Sequence, residues 1–388
     1  MRKTLICSIL ALGLFGVGCG KREEGGAPPK TEPAPATSTK STEPVKIGLA
    51  APLTGSYAKI GNDMLNGAIL AIEQRNAAGG VLGRRIDLVK RDDQGEPKVA
   101  VAVARELTGA GVACVVGHFN SGCTIPASEI YNDAKIPAVT PASTNPQVTD
   151  RGYKFMFRVC GRDDQQGTVG AKFVAEELKL KKVAVLHDKT TYGQGLADEF
   201  KKTAEKLGLQ VVYYGGFAKE EYDFRSVITA MKDVSPELVY FGGIYNQAGR
   251  LVVQMKQAGL NALFMSGDGM IDKEFIKSAG KDAEGVYLTF GPDPAQVPSA
   301  KPFIDGYQKR FGEEIGTYSV YGYDAANVLM TAMEKAGSVD GSKVQEVMHA
   351  ETFDCAMGRI EFDQRGDIKA SYYVMWIVKD GQFAVWKK

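Results

Sequence analysis

The sequence predicts an α/β protein made of two doubly wound parallel-sheet lobes. Three observations carry this expectation. Short β-branched runs recur along the chain with helical apolar patterns between them, the signature of parallel sheets covered on both faces by helices. There are about eight such units, more than one sheet comfortably holds. Of 388 residues 44% are hydrophobic and 24% charged, the make-up of an ordinary globular chain, and the length allows roughly two or three domains.

At the start, Arg2 and Lys3 are followed by an apolar run over residues 4–18, about 15 residues against the roughly 20 that span a bilayer as a helix. The run closes on Gly16-Val17-Gly18-Cys19. Small residues before a cysteine resemble a bacterial lipobox, with Gly16 where Leu is usual, so residues 1–18 read as a signal peptide and Cys19 as the lipidation site. Ordinary secretion is the alternative, and either route takes the protein out of the cytoplasm. Residues 19–44 are rich in Pro, Ala, Thr, Ser, Lys and Glu without apolar periodicity, which predicts a disordered tether between membrane and body.

Strands are expected at 46–49, 86–89, 113–116, 138–140, 183–186, 211–214, 238–241, 263–265 and 285–290. Between the first two, Leu65, Ala68, Ile69 and Ile72 share one helical face, and Gly79-Gly80 supplies the left-handed residues that end a helix. Val99, Val103 and Leu107 repeat the pattern after Pro97, which suits a first helical turn. The texture then changes. Two helical stretches, 302–311 and 321–336, follow one another, and the chain finishes with a strand at 359–362 and a hairpin, 372–378 with 382–386, turned at Asp380-Gly381.

Several functions are excluded by what the chain lacks. A net charge of +1 gives no electrostatic footprint for nucleic acid. No GxSxG elbow, phosphate loop or kinase set is present, so an enzyme is not expected. Gly193-Gln194-Gly195 is half a dinucleotide fingerprint with Asp198 at the third glycine position, and no cofactor follows from it. The histidines are His118, His187 and His349, and Cys114, Cys123, Cys160 and Cys355 form no CxxC pair, so no metal site is expected and the cysteines read as small core residues. His187-Asp188 reads as a strand-end pair.

In open α/β sheets ligands bind beyond the carboxyl ends of the strands. Three polar turns stand there. Residues 117–124 run from a strand into a helix, so free N–H groups and the Ser121 hydroxyl offer a site for an anion such as a carboxylate. Residues 141–146 form a second polar turn, and Ser266-Gly267-Asp268-Gly269 sets one carboxylate between glycines, where it can receive an ammonium group or simply form a turn.

With these residues in view, the body resembles the branched-chain amino acid binding proteins of bacterial ABC importers, the type I periplasmic binding protein family. The resemblance rests on VKIGLAAPLTGSYAKIGNDMLNGAILAIEQRNAAGGVLGRRIDLVKRDD, VVGHFNSGCTIPASEIYNDAKIPAVTPASTNPQVTDRGY, FRVCGRDDQQG, VAVLHDKTTYGQGLADEF and VYFGGIYNQAG, and spans nearly all of residues 45–388. It implies a three-strand hinge, with residues 45–163 and 291–368 in one lobe and 164–290 and 369–388 in the other. It also implies a site for a free α-amino acid. The Ser121 hydroxyl and N–H with the Thr144 N–H would hold the carboxylate, and the Ala142 carbonyl, Thr144 hydroxyl and Asp268 the ammonium. Ser143 would lie close in the same turn, and Tyr192 would close over the ligand. Ile60, Ile244, Tyr245 and Tyr318 would wall the side-chain pocket.

Departures from the family pattern bear on specificity. Asp268 stands where relatives often have Glu, and is one methylene shorter. Ile60 replaces a frequent aromatic. Gly95 and Asn120 stand where some relatives carry a disulfide, so that bridge is absent. The resemblance implies a periplasmic or cell-surface monomer, tethered through Cys19, that delivers a branched-chain aliphatic amino acid to a permease in the inner membrane. The rival reading keeps the fold and changes the ligand to a short amide, urea or aromatic acid.

Overall fold

The computed structural model describes residues 16, 18, 20, 42–370 and 373–388. The expected signal peptide, the lipidation site Cys19 and nearly all of the tether lie outside the described residues. The first sheet holds β1 (Val45–Ala51), β2 (Ile86–Asp92), β3 (Cys114–Gly117), β4 (Ala138–Thr140) and β5 (Met156–Arg158), parallel in the order β2-β1-β3-β4-β5. A second sheet starts with β6 (Lys182–His187), β7 (Gln210–Gly216), β8 (Leu238–Gly242), β9 (Leu263–Ser266) and β10 (Tyr287–Phe290). A small hairpin, β11 (Phe353–Cys355) with β12 (Gly358–Ile360), follows. Finally β13 (Val374–Lys379) and β14 (Gln382–Val385) return to the second sheet, giving the order β14-β13-β10-β9-β8-β6-β7. The protein is therefore an α/β fold with two mainly parallel sheets, one in each lobe.

All residues of β3 and β8 are buried, as strands covered on both faces must be. Asp380 and Gly381 both take positive φ, 53° and 69°, as the two-residue turn joining β13 to β14 requires. Among the elements not anticipated, two bear on the argument. One is β5, three residues long and containing Arg158, which carries no apolar run to announce it. The other is the helix Gly341–Ala350, capped by the Asp340 side chain on the Ser342 and Lys343 N–H groups.

After β10 the chain returns to the first sheet. Helices Lys301–Phe311, Ser319–Ala336 and Gly341–Ala350 follow, and Ser319–Ala336 packs along Ala58–Ala77 and against β3 and β4. The two helices approach at glycines. A Cβ on Gly67 would stand 1.8 Å from the Ser319 carbonyl oxygen, and one on Gly322 2.2 Å from that of Met64. On the other side, helix Asp163–Lys172 leaves β5 and packs on helix Thr191–Lys206, beside the second sheet.

A buried ion network ties these passages together. Arg158, wholly buried in β5, donates Nε to Asp367 Oδ1 at 2.6 Å and Nη2 to Thr149 Oγ1 at 2.6 Å. Arg162 donates to the other Asp367 oxygen at 2.7 Å and to Asp150 at 2.9 Å. Removing one member of such a buried pair costs about 3–5 kcal/mol, because the partner charge is stranded.

Candidate functional site

A cavity of about 380 Å³ opens between the sheets, where the carboxyl ends of their parallel strands converge. That volume lies within the roughly 300–1,000 Å³ usual for small-molecule sites. The turns that follow the strands build its wall. Tyr57 comes from the segment after β1, Ser121 and Gly122 from the one after β3, and Ala142 from the one after β4. From the second lobe come Thr191 and Tyr192 after β6, Ile244 after β8 and Asp268 after β9.

One end of this cavity suits an anion. Helix Ser121–Asp133 starts at the wall, and the N–H groups of its first residues have no acceptor inside the helix. They add to the positive end of the helix dipole. The Ser121 hydroxyl accepts the Asn145 N–H at 3.3 Å and remains free to donate.

Opposite charge is held nearby. Asp268 is 5% exposed, and its carboxylate Oδ1 accepts the Tyr192 hydroxyl at 2.8 Å. Tyr192 in turn accepts the Gly269 N–H at 2.9 Å, and the Tyr318 hydroxyl donates to the Asp268 carbonyl at 3.0 Å. Two phenols from different elements thus fix one acid. Burial raises the Asp268 carboxyl to about 6, against the stabilising hydrogen bond from Tyr192. No cation pairs with it among the described residues. Asp188, at the β6 end, is likewise buried and raised to about 6 by desolvation.

The lobes touch around the cavity. The Asn145 side-chain amide donates to the Thr191 carbonyl at 2.9 Å, the Tyr245 hydroxyl to the Ser56 carbonyl at 3.3 Å, and Lys219 pairs with Glu96 near the mouth. These contacts describe a closed cleft.

Of the residues expected at the site, Ser121, Ala142, Tyr192, Ile244, Asp268 and Tyr318 line the cavity. Four others stand back from it. Ile60 faces the first-lobe core because the helix has already begun at Ala58, and Tyr57, just before that helix, takes the wall position. Tyr245 turns its hydroxyl to Ser56. The Ser143 hydroxyl is occupied by Thr124 at 2.5 Å and the Phe119 carbonyl at 2.8 Å. Thr144 is buried behind the wall, its carbonyl accepting the Asp163 N–H at 2.9 Å. Sequence reasoning passed over Tyr57, Phe119 and Lys219, while Asp188, read as a strand-end residue, stands at the β6 end and there also lines the cavity. Gly95 has φ +69° and a Cβ there would strike the Tyr57 ring at 2.4 Å, so an aromatic ring occupies the space next to the missing bridge. Cys114, Cys123, Cys160 and Cys355 are free thiols, the first three buried.

The family model described as "Periplasmic binding protein" matches residues 44–382. The chain belongs to this family. Among relatives of this periplasmic binding protein, an amino acid binding protein of Pseudomonas aeruginosa is 46% identical over 87% of this chain and 91% of its own. A leucine-, isoleucine-, valine-, threonine- and alanine-binding protein from the same organism is 41% identical over 86% of this chain and 90% of its own. The crystal structure of a leucine binding protein from Thermotoga maritima superposes with a TM-score of 0.83 at 32% identity, covering 88% of this chain and 98% of that one. The family consists of substrate-binding proteins. Among the described residues of this one, no helix is long and apolar enough to cross a membrane.

Proposed function

We propose that this periplasmic binding protein captures a free α-amino acid with a branched aliphatic side chain, outside the cytoplasm, and delivers it to a membrane permease without chemical change. One observation carries the reading: a helix N-terminus with a free hydroxyl, Ser121, and a buried unpaired carboxylate, Asp268, border one cavity. An anion receptor and a cation receptor on the same small cavity match the two charges of a zwitterion. Each charged end left without its partner would lose hydrogen bonds worth about 1.5–3 kcal/mol apiece.

The residues divide the work. Ser121, with the N–H groups of its helix turn, receives the carboxylate. Asp268, held by Tyr192 and Tyr318, receives the ammonium together with the Ala142 carbonyl. Tyr57, Phe119, Ile244 and Tyr318 give the side chain apolar walls. Residues 45–163 with 291–368 act as one rigid lobe and 164–290 with 369–388 as the other, and Tyr192 and Asp268 come with the second when the cleft closes. The closed monomer, tethered through a lipidated Cys19, is the form a permease recognises. Calorimetric titration of the full chain, unfolded and refolded to strip carried ligand, tests the reading. Heat with leucine, isoleucine or valine is expected, whereas heat only with a short amide, urea or aromatic acid would overturn it.

A further inference from the structure

Behind the ammonium end of the cavity lies a second buried acid, Asp163, which none of the contacts above uses through its side chain. It opens helix Asp163–Lys172, is wholly buried, and neither of its carboxylate oxygens accepts a hydrogen bond among the described residues. Gln166, one turn further on the same helical face, is also wholly buried with both amide atoms unpartnered. A Cβ at Gly267 would stand 2.3 Å from Gln166 Oε1, so this side chain reaches the backbone next to Asp268. A Cβ at Gly195 would stand 3.9 Å from Asp163 Oδ2, which places the carboxylate against the helix that carries Tyr192. The Thr144 hydroxyl faces the Asp163 carboxyl, favours its charged form and has no other partner.

The surroundings supply little positive charge. Arg158 is the neighbouring cation, and its guanidinium is occupied by Asp367, Thr149 and the carbonyls of Ser143 and Asn145. Asp164, the next acid, is held by Arg162. The remaining titratable neighbours of the two carboxyls are the phenols of Tyr192, Tyr240, Tyr318, Tyr321 and Tyr373 and the Cys160 thiol, all held neutral by burial. Two carboxyls sharing a buried region without a free counter-ion cannot both stay ionised.

We propose that Asp163 is a positioning residue of the ammonium end: before ligand arrives the Asp163 and Asp268 carboxyls carry one proton between them, and an incoming ammonium displaces it. The carboxyl O–H bond breaks, the proton passes to solvent, and the ammonium N–H takes its place as donor to Asp268. Burial and the neighbouring Asp268 charge both hold the Asp163 carboxyl well above the usual carboxylate range, in accord with this. The helix that Asp163 opens packs on the second sheet, and Asp268 follows β9 of that same sheet, with Asp163 standing at the boundary between the lobes. The inference rests on the amino-acid reading, since it needs a cationic ligand head.

Titrating the full chain with leucine at pH 7 in buffers of different ionisation enthalpy counts the protons released. Asp268 alone, with a carboxyl at about 6, would be only about a tenth protonated there. The pair predicts on the order of one proton per leucine, and affinity that rises up to about tenfold per pH unit while the pair still holds its proton. Asp163→Asn should cut the released protons by at least about half while leucine still binds. Leucine heat that does not vary with buffer removes the proposal alone, as does an Asp163→Asn variant that releases the wild-type number. Absence of heat with every amino acid removes the amino-acid reading and this proposal together. If Asp163→Asn does not fold, the wild-type buffer series decides by itself.

Discussion

Replacing Asp268 with Asn separates what this acid does for the ligand from what it does for the fold. The side chain keeps its size, and the Tyr192 hydroxyl can still donate to the amide oxygen where it now meets Oδ1 at 2.8 Å. The Tyr318 contact is to the backbone carbonyl and is untouched. What disappears is the negative charge. Burial lifts the folded-state carboxyl from 3.8 to about 6. Each tenfold change in proton affinity is worth about 1.4 kcal/mol, so ionising the acid in the folded state costs on the order of 3 kcal/mol more than in the unfolded chain. The sign follows from the direction: a raised acid destabilises the folded state above its folded pKa, and the penalty vanishes below the unfolded value, where both states are protonated. Asp268→Asn should therefore raise stability at pH 7 by up to about 3 kcal/mol and leave it nearly unchanged below about pH 4. Affinity should move the other way, with a loss of about 2–5 kcal/mol from removing the partner of a buried ammonium. Denaturant melts at both pH values and calorimetry on the same protein measure the two effects. A variant that binds leucine within tenfold of wild type, or that melts earlier at pH 7, would refute the reasoning.

Two further perturbations probe other parts of the cleft. Ser121→Ala removes a hydroxyl from the anion end while keeping the helix and its N–H groups, so leucine should bind more weakly by about 1.5–3 kcal/mol, and the variant should melt somewhat earlier because the buried Asn145 N–H loses its acceptor; equal affinity by calorimetry would take Ser121 out of the site. Glu96→Gln breaks the ion pair with Lys219 across the mouth, whose partners are 48% and 27% exposed, so the effect should stay below about 1 kcal/mol and appear as faster ligand release at low salt in stopped-flow measurements. A release rate that is unchanged at low salt would show that the pair does not hold the cleft shut.

Much of the fold was legible because parallel sheets covered on both faces write themselves as short apolar runs. The β1, β6 and β8 segments are such runs, and Asp380-Gly381 announced the final hairpin by turn chemistry alone. Strand β5 was hidden because its Arg158 is buried through Asp367, a partner 209 residues away that no local pattern reveals. The site was legible where strand ends turn polar, as at Ser121, Ala142 and Asp268. The cavity wall was not legible where one residue of helix phase decides which way a side chain faces. The helix begins at Ala58, and this turns Ile60 into the core and leaves Tyr57 at the wall. Asp163 and Gln166 drew no attention because acids and amides in a first helical turn are ordinary. Their significance comes only from burial without partners, beside an acid from a distant strand end.

The central claim is that the cleft recognises both charges of a zwitterion, and the most direct test compares leucine with isocaproate, which lacks only the α-ammonium, and with isoamylamine, which lacks only the carboxylate. Calorimetry on the refolded full chain should show leucine binding and each truncated analogue weaker by about a hundredfold or more. Isocaproate binding within tenfold of leucine would contradict the role given to Asp268 and with it the account of the site.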